Sequence, residues 1–356
     1  MTEQVPIIDL TAYYNDGLPA QEAIRAIHDA ASTWGFFLIT KTRVSPQVQS
    51  SLVSMSRTFF DLPLESKMAL DVHSGGVAWR GYMPLGGEHT HGRLDWKEGL
   101  YVGPEHADDH PLAGLPLHGR NQFPDFDLPE MRPTVLKYVD QVTELGKTLT
   151  DMFSLALGLG RAELRQTLLE PEPVVLFRCF KYQAVEGQLF QDKIQSFGIG
   201  EHTDFGFLTI LKVDSPGLQI LSPSDKWVDV PVLEDCFIVN IGDMFDQLTH
   251  GRYRSRPHRV CRPGPGNAPR FSFPLFFDFA WNAKMVRLPL HHLTPLSEEE
   301  IVSAKQRWAG TTFRSVQGLW SQYLARKMQK VFPDLNMEDF EPNAAPSTRF
   351  TRVVGT

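Results

Sequence analysis

The apolar positions along the chain change period twice, and the changes divide it into recognisable stretches. Residues 5–10, VPIIDL, read as a short strand. From Pro19 to Thr33, Ala23, Ile24, Ala26, Ile27, Ala30 and Ala31 recur at helical spacing. Gly35 interrupts the pattern, and FFLI at 36–39 reads as a buried strand. Ser45 is an N-cap with Pro46 in the first turn, and Val48, Leu52, Met55 and Phe59 line one face of the helix that follows. Pro63 ends or interrupts it, with a short helical turn over 65–70. Residues 74–121 are rich in Gly, His, Pro and Asp, and their one expected strand is Trp96 to Val102. A loop region this long in a compact domain tends to carry function. An apolar stripe from Val135 to Leu157 predicts a helix within 129–170, with Gly158 and Gly160 suited to its end.

From residue 174 the period falls to that of strands. VVLFRCFKY, FGFLTILKV, GLQIL, WVDVPV, CFIVNIG and RFSFPLFFDF are short, β-branched or aromatic, and turn signals such as DSPG, SPSD and PGPGN separate them. Strands at this spacing predict a sandwich or jelly roll. After Pro289 the chain is helical again: Ser297 and Glu300 form a capping-box pattern, 313–331 is amphipathic, and 343–356 is a loosely held tail. The expected organisation is an N-terminal α/β region at 1–120, a helical segment at 121–173, a β core at 174–290 and C-terminal helices and tail at 291–356, all one structural unit.

Composition narrows the function. A net charge of −7, with no basic run, argues against nucleic-acid and membrane-surface partners and leaves a small molecule as the expected partner, with a monomer compatible. The N-terminus lacks a leader pattern, and no apolar run reaches membrane-spanning length. Cys179, Cys236 and Cys261 have neither metal-like nor disulfide-like spacing, which fits a reducing, cytoplasmic setting. The 24 phenylalanines imply a largely aromatic core.

Chemistry concentrates in GEHTDFGFLTIL at 200–211. On an extended chain His202 and Asp204 face one side, and an apolar strand is expected to follow immediately. H-x-D alone is weak, since roughly one chance match is expected in a chain of this length. The chain contains such a match, His106-Ala-Asp108, with no strand around it. His202 and Asp204 gain weight from His258, 56 residues after His202 in the same strand-rich half. Two neutral imidazoles and one carboxylate hold Fe(II) on one face and leave the other open for a co-substrate and O₂. Twelve residues further on, Arg270 and Ser272 share a strand face and form a carboxylate receptor. In the 74–121 loop, Arg80 and Tyr82 are candidate pocket residues, and His89, His91 and Asp95 a weaker metal cluster. Arg307 and Arg314, on the C-terminal helices, could meet an anionic substrate.

The combination of HTD at 202–204, His258 and R-x-S at 270–272 resembles the iron(II)- and 2-oxoglutarate-dependent oxygenases of the isopenicillin N synthase-like superfamily. VPIIDL, WGFFLI and VNIGDMFDQLTHGRYRSRPHRV resemble further segments of that family, so the likeness covers most of residues 4–335. It implies a mainly β fold with flanking helices around a distorted double-stranded β-helix (jelly roll) core. It also implies that His202, Asp204 and His258 ligate Fe(II), and that Arg270, Ser272 and Tyr182 bind the distal carboxylate of 2-oxoglutarate. Phe276, with Phe205, would pack on the organic substrate. Phe180 stands where the family often has an Asn. The implied reaction oxidises a C–H bond by hydroxylation, desaturation or cyclisation, releasing succinate and CO₂. An iron oxidase of the same fold that uses no 2-oxoglutarate, and a non-catalytic jelly-roll binding protein, are the alternatives.

Overall fold

The computed structural model describes residues 3–15, 18–90, 93–185, 197–311 and 316–331. The N-terminal part contains β1 (Ile7–Asp9), α1 (Thr11–Tyr14), α2 (Leu18–Thr33), β2 (Phe36–Thr40), α3 (Pro46–Phe60) and α4 (Leu64–Met68). β3 (Gly81–Met83), β4 (His89–Thr90), β5 (Arg93–Leu94) and β6 (Glu98–Val102) cross the region expected to be irregular. α5 (Met131–Ala156) and α6 (Glu163–Leu168) lead into β7 (Pro173–Tyr182). Then come β8 (Phe197–His202), β9 (Leu208–Val213), β10 (Leu218–Leu221), β11 (Trp227–Asp229) and β12 (Phe237–Ile241). The chain continues through α7 (Asp243–Leu248), β13 (His258–Cys261), β14 (Arg270–Ala280), α8 (Glu298–Ala309) and α9 (Trp320–Val331).

Local chemistry accounts for the helix ends. The Ser45 hydroxyl accepts from the Val48 amide at the start of α3, and both arms of the Ser297–Glu300 capping box are formed at α8. Gly158 takes a φ of +70° just past α5, a conformation glycine adopts without strain. That turn splits the helical stretch expected over 129–170 into α5 and α6.

Among the described residues the strands form two main sheets. The larger runs β1-β2-β12-β9-β14-β7-β6-β3 and the smaller β11-β10-β13-β8. Apart from the parallel pair β1–β2, the pairings are antiparallel. This is the jelly-roll core expected from the strand spacing. β7 is buried along its whole length because the larger sheet is covered on both faces. On one of them α5 packs against β14, so closely that a Cβ on Gly146 would lie 2.5 Å from the Phe277 ring. Behind that contact Phe207 stacks with Phe279 and meets Phe245 edge-on, part of the aromatic core the composition implied. Gly146→Val should therefore overpack this interface and cost about 1–3 kcal/mol, read as a lower midpoint in chemical denaturation.

Candidate active site

The two histidines of the expected triad are brought together by strand register. His258, the first residue of β13, pairs directly with His202, the last of β8, across the smaller sheet, and their rings lie 4.2 Å apart. Asp204 arrives differently from the sequence expectation. β8 ends at His202 and β9 begins only at Leu208, so Asp204 sits in the turn between them rather than on a strand. The alternation argument for a shared face therefore does not apply to it. Asp204 is instead fixed by neighbours. Its Oδ2 accepts from Thr209 Oγ1 at 2.5 Å and from Asn240 Nδ2 at 2.8 Å, and its carbonyl accepts from the Asp243 amide at the start of α7. With Oδ2 so occupied, Oδ1 faces the imidazoles, 3.8 Å from His258 Nε2.

One ligating atom from each of His202, Asp204 and His258 lies within 4.8 Å of the others. The histidine tautomers suit a metal. His202 Nδ1 is 2.8 Å from the Gly200 carbonyl, and His258 Nδ1 is 3.4 Å from the Arg256 carbonyl. Donation from Nδ1 to a carbonyl leaves Nε2 unprotonated and turned inward. Burial opposes ionisation of Asp204. The adjoining His258 and His202, together with the Thr209 and Asn240 hydrogen bonds, outweigh it and hold the carboxyl below its ordinary range.

Arg270 and Ser272 lie on β14, paired with Tyr182 and Phe180 of β7. Arg270 is 1% exposed, and its Nε donates to the Ser215 carbonyl at 3.2 Å. Its Nη1 and Nη2 are buried with no hydrogen-bond partner among the described residues. Its guanidinium stands 5.3 Å from the centre of the Tyr182 ring. Burial works against its charge, and the nearby Tyr182 offsets only part of that. A buried guanidinium with two unanswered nitrogens is costly unless a ligand completes it, and a carboxylate is its natural complement. Burial pushes the Tyr182 hydroxyl up to about 12, so it remains a hydrogen-bond donor at neutral pH.

A cavity of about 140 Å³ opens on His202 and Asp204. His202, Asp204, Phe205 and Phe276 line it together with Phe180, Leu176 and Ile199. Of the expected pocket residues, Phe205 and Phe276 are thus in place, whereas Arg80 and Tyr82 are buried away from its wall. Arg80 donates to the Leu117 carbonyl, and the Tyr82 hydroxyl donates to Glu98. Trp79 lines the cavity instead, because its left-handed φ of +52° turns the chain just before β3. The C-terminal contribution comes from Leu324, Lys327 and Met328 of α9. Arg307 is bidentate to Asp246, and Arg314 lies outside the described residues. Asp95 gathers no metal cluster among the described residues: it binds Lys97 Nζ at 2.6 Å, and Glu88 binds the same ammonium at 2.7 Å. His91 lies outside the described residues. The loop also supplies Lys97 and Tyr101, and β7 supplies Arg178; no sequence motif marks any of these.

Next to the cavity, Asp278 accepts from the Phe207 amide through Oδ1, and its buried Oδ2 has no hydrogen-bond partner among the described residues. Burial raises its carboxyl to about 7 from an ordinary 3.8. Between those values the native state holds a proton that the unfolded chain has lost, so this group makes stability fall as pH rises from about 4 to about 7. Asp278→Asn should flatten that part of the pH–stability curve, measured by urea denaturation at about pH 5 and about pH 7.5.

Comparison with known proteins is consistent with this geometry. Residues 5–126 match the model described as the N-terminal region of non-haem dioxygenase in morphine synthesis, and residues 174–279 match the 2OG-Fe(II) oxygenase superfamily model. A probable iron/ascorbate oxidoreductase of Dictyostelium discoideum is 37% identical over 94% of this chain and 96% of its own. The chain belongs to the 2OG-Fe(II) oxygenase superfamily. A 2-oxoglutarate-Fe(II) type oxidoreductase of Emericella nidulans is 33% identical over 77% of the oxygenase and 79% of its own length. The crystal structure of a full-length Neurospora crassa protein in complex with alpha-KG superposes with a TM-score of 0.74 at 24% identity, covering 92% of the oxygenase and 96% of the Neurospora chain. The protein is a 2-oxoglutarate-dependent dioxygenase that uses Fe(II), as the relatives named for 2-oxoglutarate support.

Proposed function

We propose that His202, Asp204 and His258 hold the Fe(II), that Arg270, Ser272 and Tyr182 hold the distal carboxylate of 2-oxoglutarate, and that a small organic substrate occupies the cavity beside Trp79, Phe205 and Phe276. The observation that carries this reading is the buried Arg270 guanidinium, two of whose nitrogens have no hydrogen-bond partner among the described residues. It is incomplete without an anion, and the triad supplies N and O donors of the kind Fe(II) takes. The bound iron would supply the oxidation itself, coupling loss of CO₂ from 2-oxoglutarate to attack on a C–H bond.

The chain's own residues do the rest. Asn240 and Thr209 hold Asp204 by Oδ2, so that Oδ1 stays turned towards the imidazoles. Gly200 and Arg256 carbonyls hold the ring tautomers. Leu176, Phe180, Ile199 and Phe276 exclude water from the reacting face, and Trp79 and Phe205 add aromatic side chains to the wall a substrate would meet. Lys97, Glu88, Asp95 and Arg178 place two charges of each sign in the wall, so the cavity combines apolar planes with a compensated polar end. This suits a compact, partly polar molecule. The three thiols, none of them in a disulfide, favour a reducing compartment.

The deciding measurement is succinate formed after Fe(II), O₂ and 2-oxoglutarate are added to the anaerobically prepared protein. Slow succinate release without added substrate, stimulated by the true substrate and absent in His202→Ala, is the expected result. Oxygen uptake that proceeds equally without 2-oxoglutarate would overturn the assignment of Arg270 to the co-substrate.

A further inference from the structure

The H-x-D match at His106, unsupported by any strand in the sequence, sits in a second cluster of metal-binding groups. Asp108 points away, pairing with Arg120 at the surface. His106 turns inward instead and meets His118 from the same loop and Glu172 from the turn before β7. One ligating atom from each lies within 4.8 Å of the others. We propose that His106, His118 and Glu172 form a second metal site, which takes a zinc(II) ion with water as its fourth ligand. This inference is independent of the roles proposed for the iron site.

One of the two ring tautomers already suits a metal. His118 donates from Nδ1 to the Pro116 carbonyl at 2.9 Å, which leaves Nε2 unprotonated, as ligation requires. His106 places Nε2 3.0 Å from Glu172 Oε1, and its buried Nδ1 has no hydrogen-bond partner among the described residues. Facing a carboxylate, that Nε2 carries the ring proton, which ligation through Nε2 would move to Nδ1. Burial holds both rings below their ordinary value, His118 at about 4, so both are neutral near pH 7.

His110 plays a different part. Its Nδ1 accepts from the Leu112 amide at 3.2 Å, so the proton is on Nε2, 3.4 Å from Glu172 Oε2. It therefore orients the carboxylate rather than ligating. Two imidazoles and one carboxylate, with no thiolate and few oxygens, match zinc better than calcium or magnesium. Ligands on one zinc at about 2.0–2.1 Å stand roughly 3.3 Å apart, a contraction that side-chain rotation can supply. Arg80 opposes a cation here, since its charge reaches both His106 and His118, but Glu105 lies close enough to Arg80 to offset part of that. The Glu172 side chain is 33% exposed, which gives an ion a way in.

The ion would tie the 103–121 segment to the start of β7. His118 adjoins Leu117, which lines the active-site cavity, so the staple would hold one wall of that cavity in place.

The test uses the full chain carrying His202→Ala and His258→Ala, which removes the first site. Dialysed against micromolar zinc, this variant should retain about one equivalent, and cobalt(II) in its place should show the visible absorption of a four-coordinate ion. Adding His118→Ala or Glu172→Gln should abolish both signals. Glu172→Gln, at a partly exposed side chain, keeps the test valid if His118→Ala fails to fold, and far-ultraviolet circular dichroism reads that directly. No retained metal in the two-histidine variant, or retention unchanged by Glu172→Gln, would overturn the proposal.

Discussion

Asp204→Asn should lose Fe(II) and with it nearly all turnover, although the side chains have the same shape. Thr209 and Asn240 both donate to Oδ2 of Asp204. An amide at this position must present its only acceptor oxygen to those two donors, which turns its NH₂ towards the metal side. The substitution thus removes the ligand atom and the negative charge together. Loss of an outer hydrogen bond at a metal site typically costs about 10–100-fold, and loss of a ligand more, so a fall of roughly 10³-fold or greater is expected in turnover. Iron retained after dialysis and succinate formed per minute are the two readouts. Asn240→Ala, which leaves the carboxylate but removes one of the two donors to Oδ2, should fall within the smaller range. If Asp204→Asn kept its iron, Asp204 would not be a ligand.

Arg270→Met should have opposite effects on stability and on catalysis. The Arg270 guanidinium is buried with two nitrogens that have no hydrogen-bond partner among the described residues, a cost that methionine of similar length removes. The apoprotein should therefore gain roughly 1–3 kcal/mol, seen as a higher midpoint of unfolding. Removing one partner from a buried charge pair costs about 2–5 kcal/mol in binding, so KM for 2-oxoglutarate should rise by roughly 30-fold to several thousand-fold. Wild type should also be stabilised against heat by added 2-oxoglutarate, and the variant should not. An unchanged KM with a raised melting temperature would mean that Arg270 is a structural liability and no receptor.

Much of this is legible in the residues, and what is not has physical causes. β7 and β14 announce themselves as long apolar runs because both faces of the larger sheet are covered. β13 has only four residues, half of them outward-facing, so its period is too short to read, yet its register is what joins His258 to His202. α7 is buried on every side and so has no polar face from which a helical period could be inferred. In the sequence Arg80 looks a better pocket residue than Trp79. The fold reverses that through a left-handed φ at Trp79, a conformation that no preference of tryptophan signals. The sequence pairs His106 with the neighbouring Asp108, but the acid it meets is Glu172, 66 residues away.

The pairing of His202 with His258 across β8 and β13 separates chemical identity from chain length. Of what joins the two strands, the centre depends on the turn that carries Asp204 and on Thr209, Asn240 and Asp243, which fix it. The remaining turns of that stretch can accept or lose residues without disturbing the centre, provided the strands keep step. A slip of a single residue along β13 would instead carry one imidazole to the opposite face and dismantle the centre at once. Turns elsewhere around the cavity can thus be rebuilt, while a change that alters the phase of this one short strand takes a ligand away.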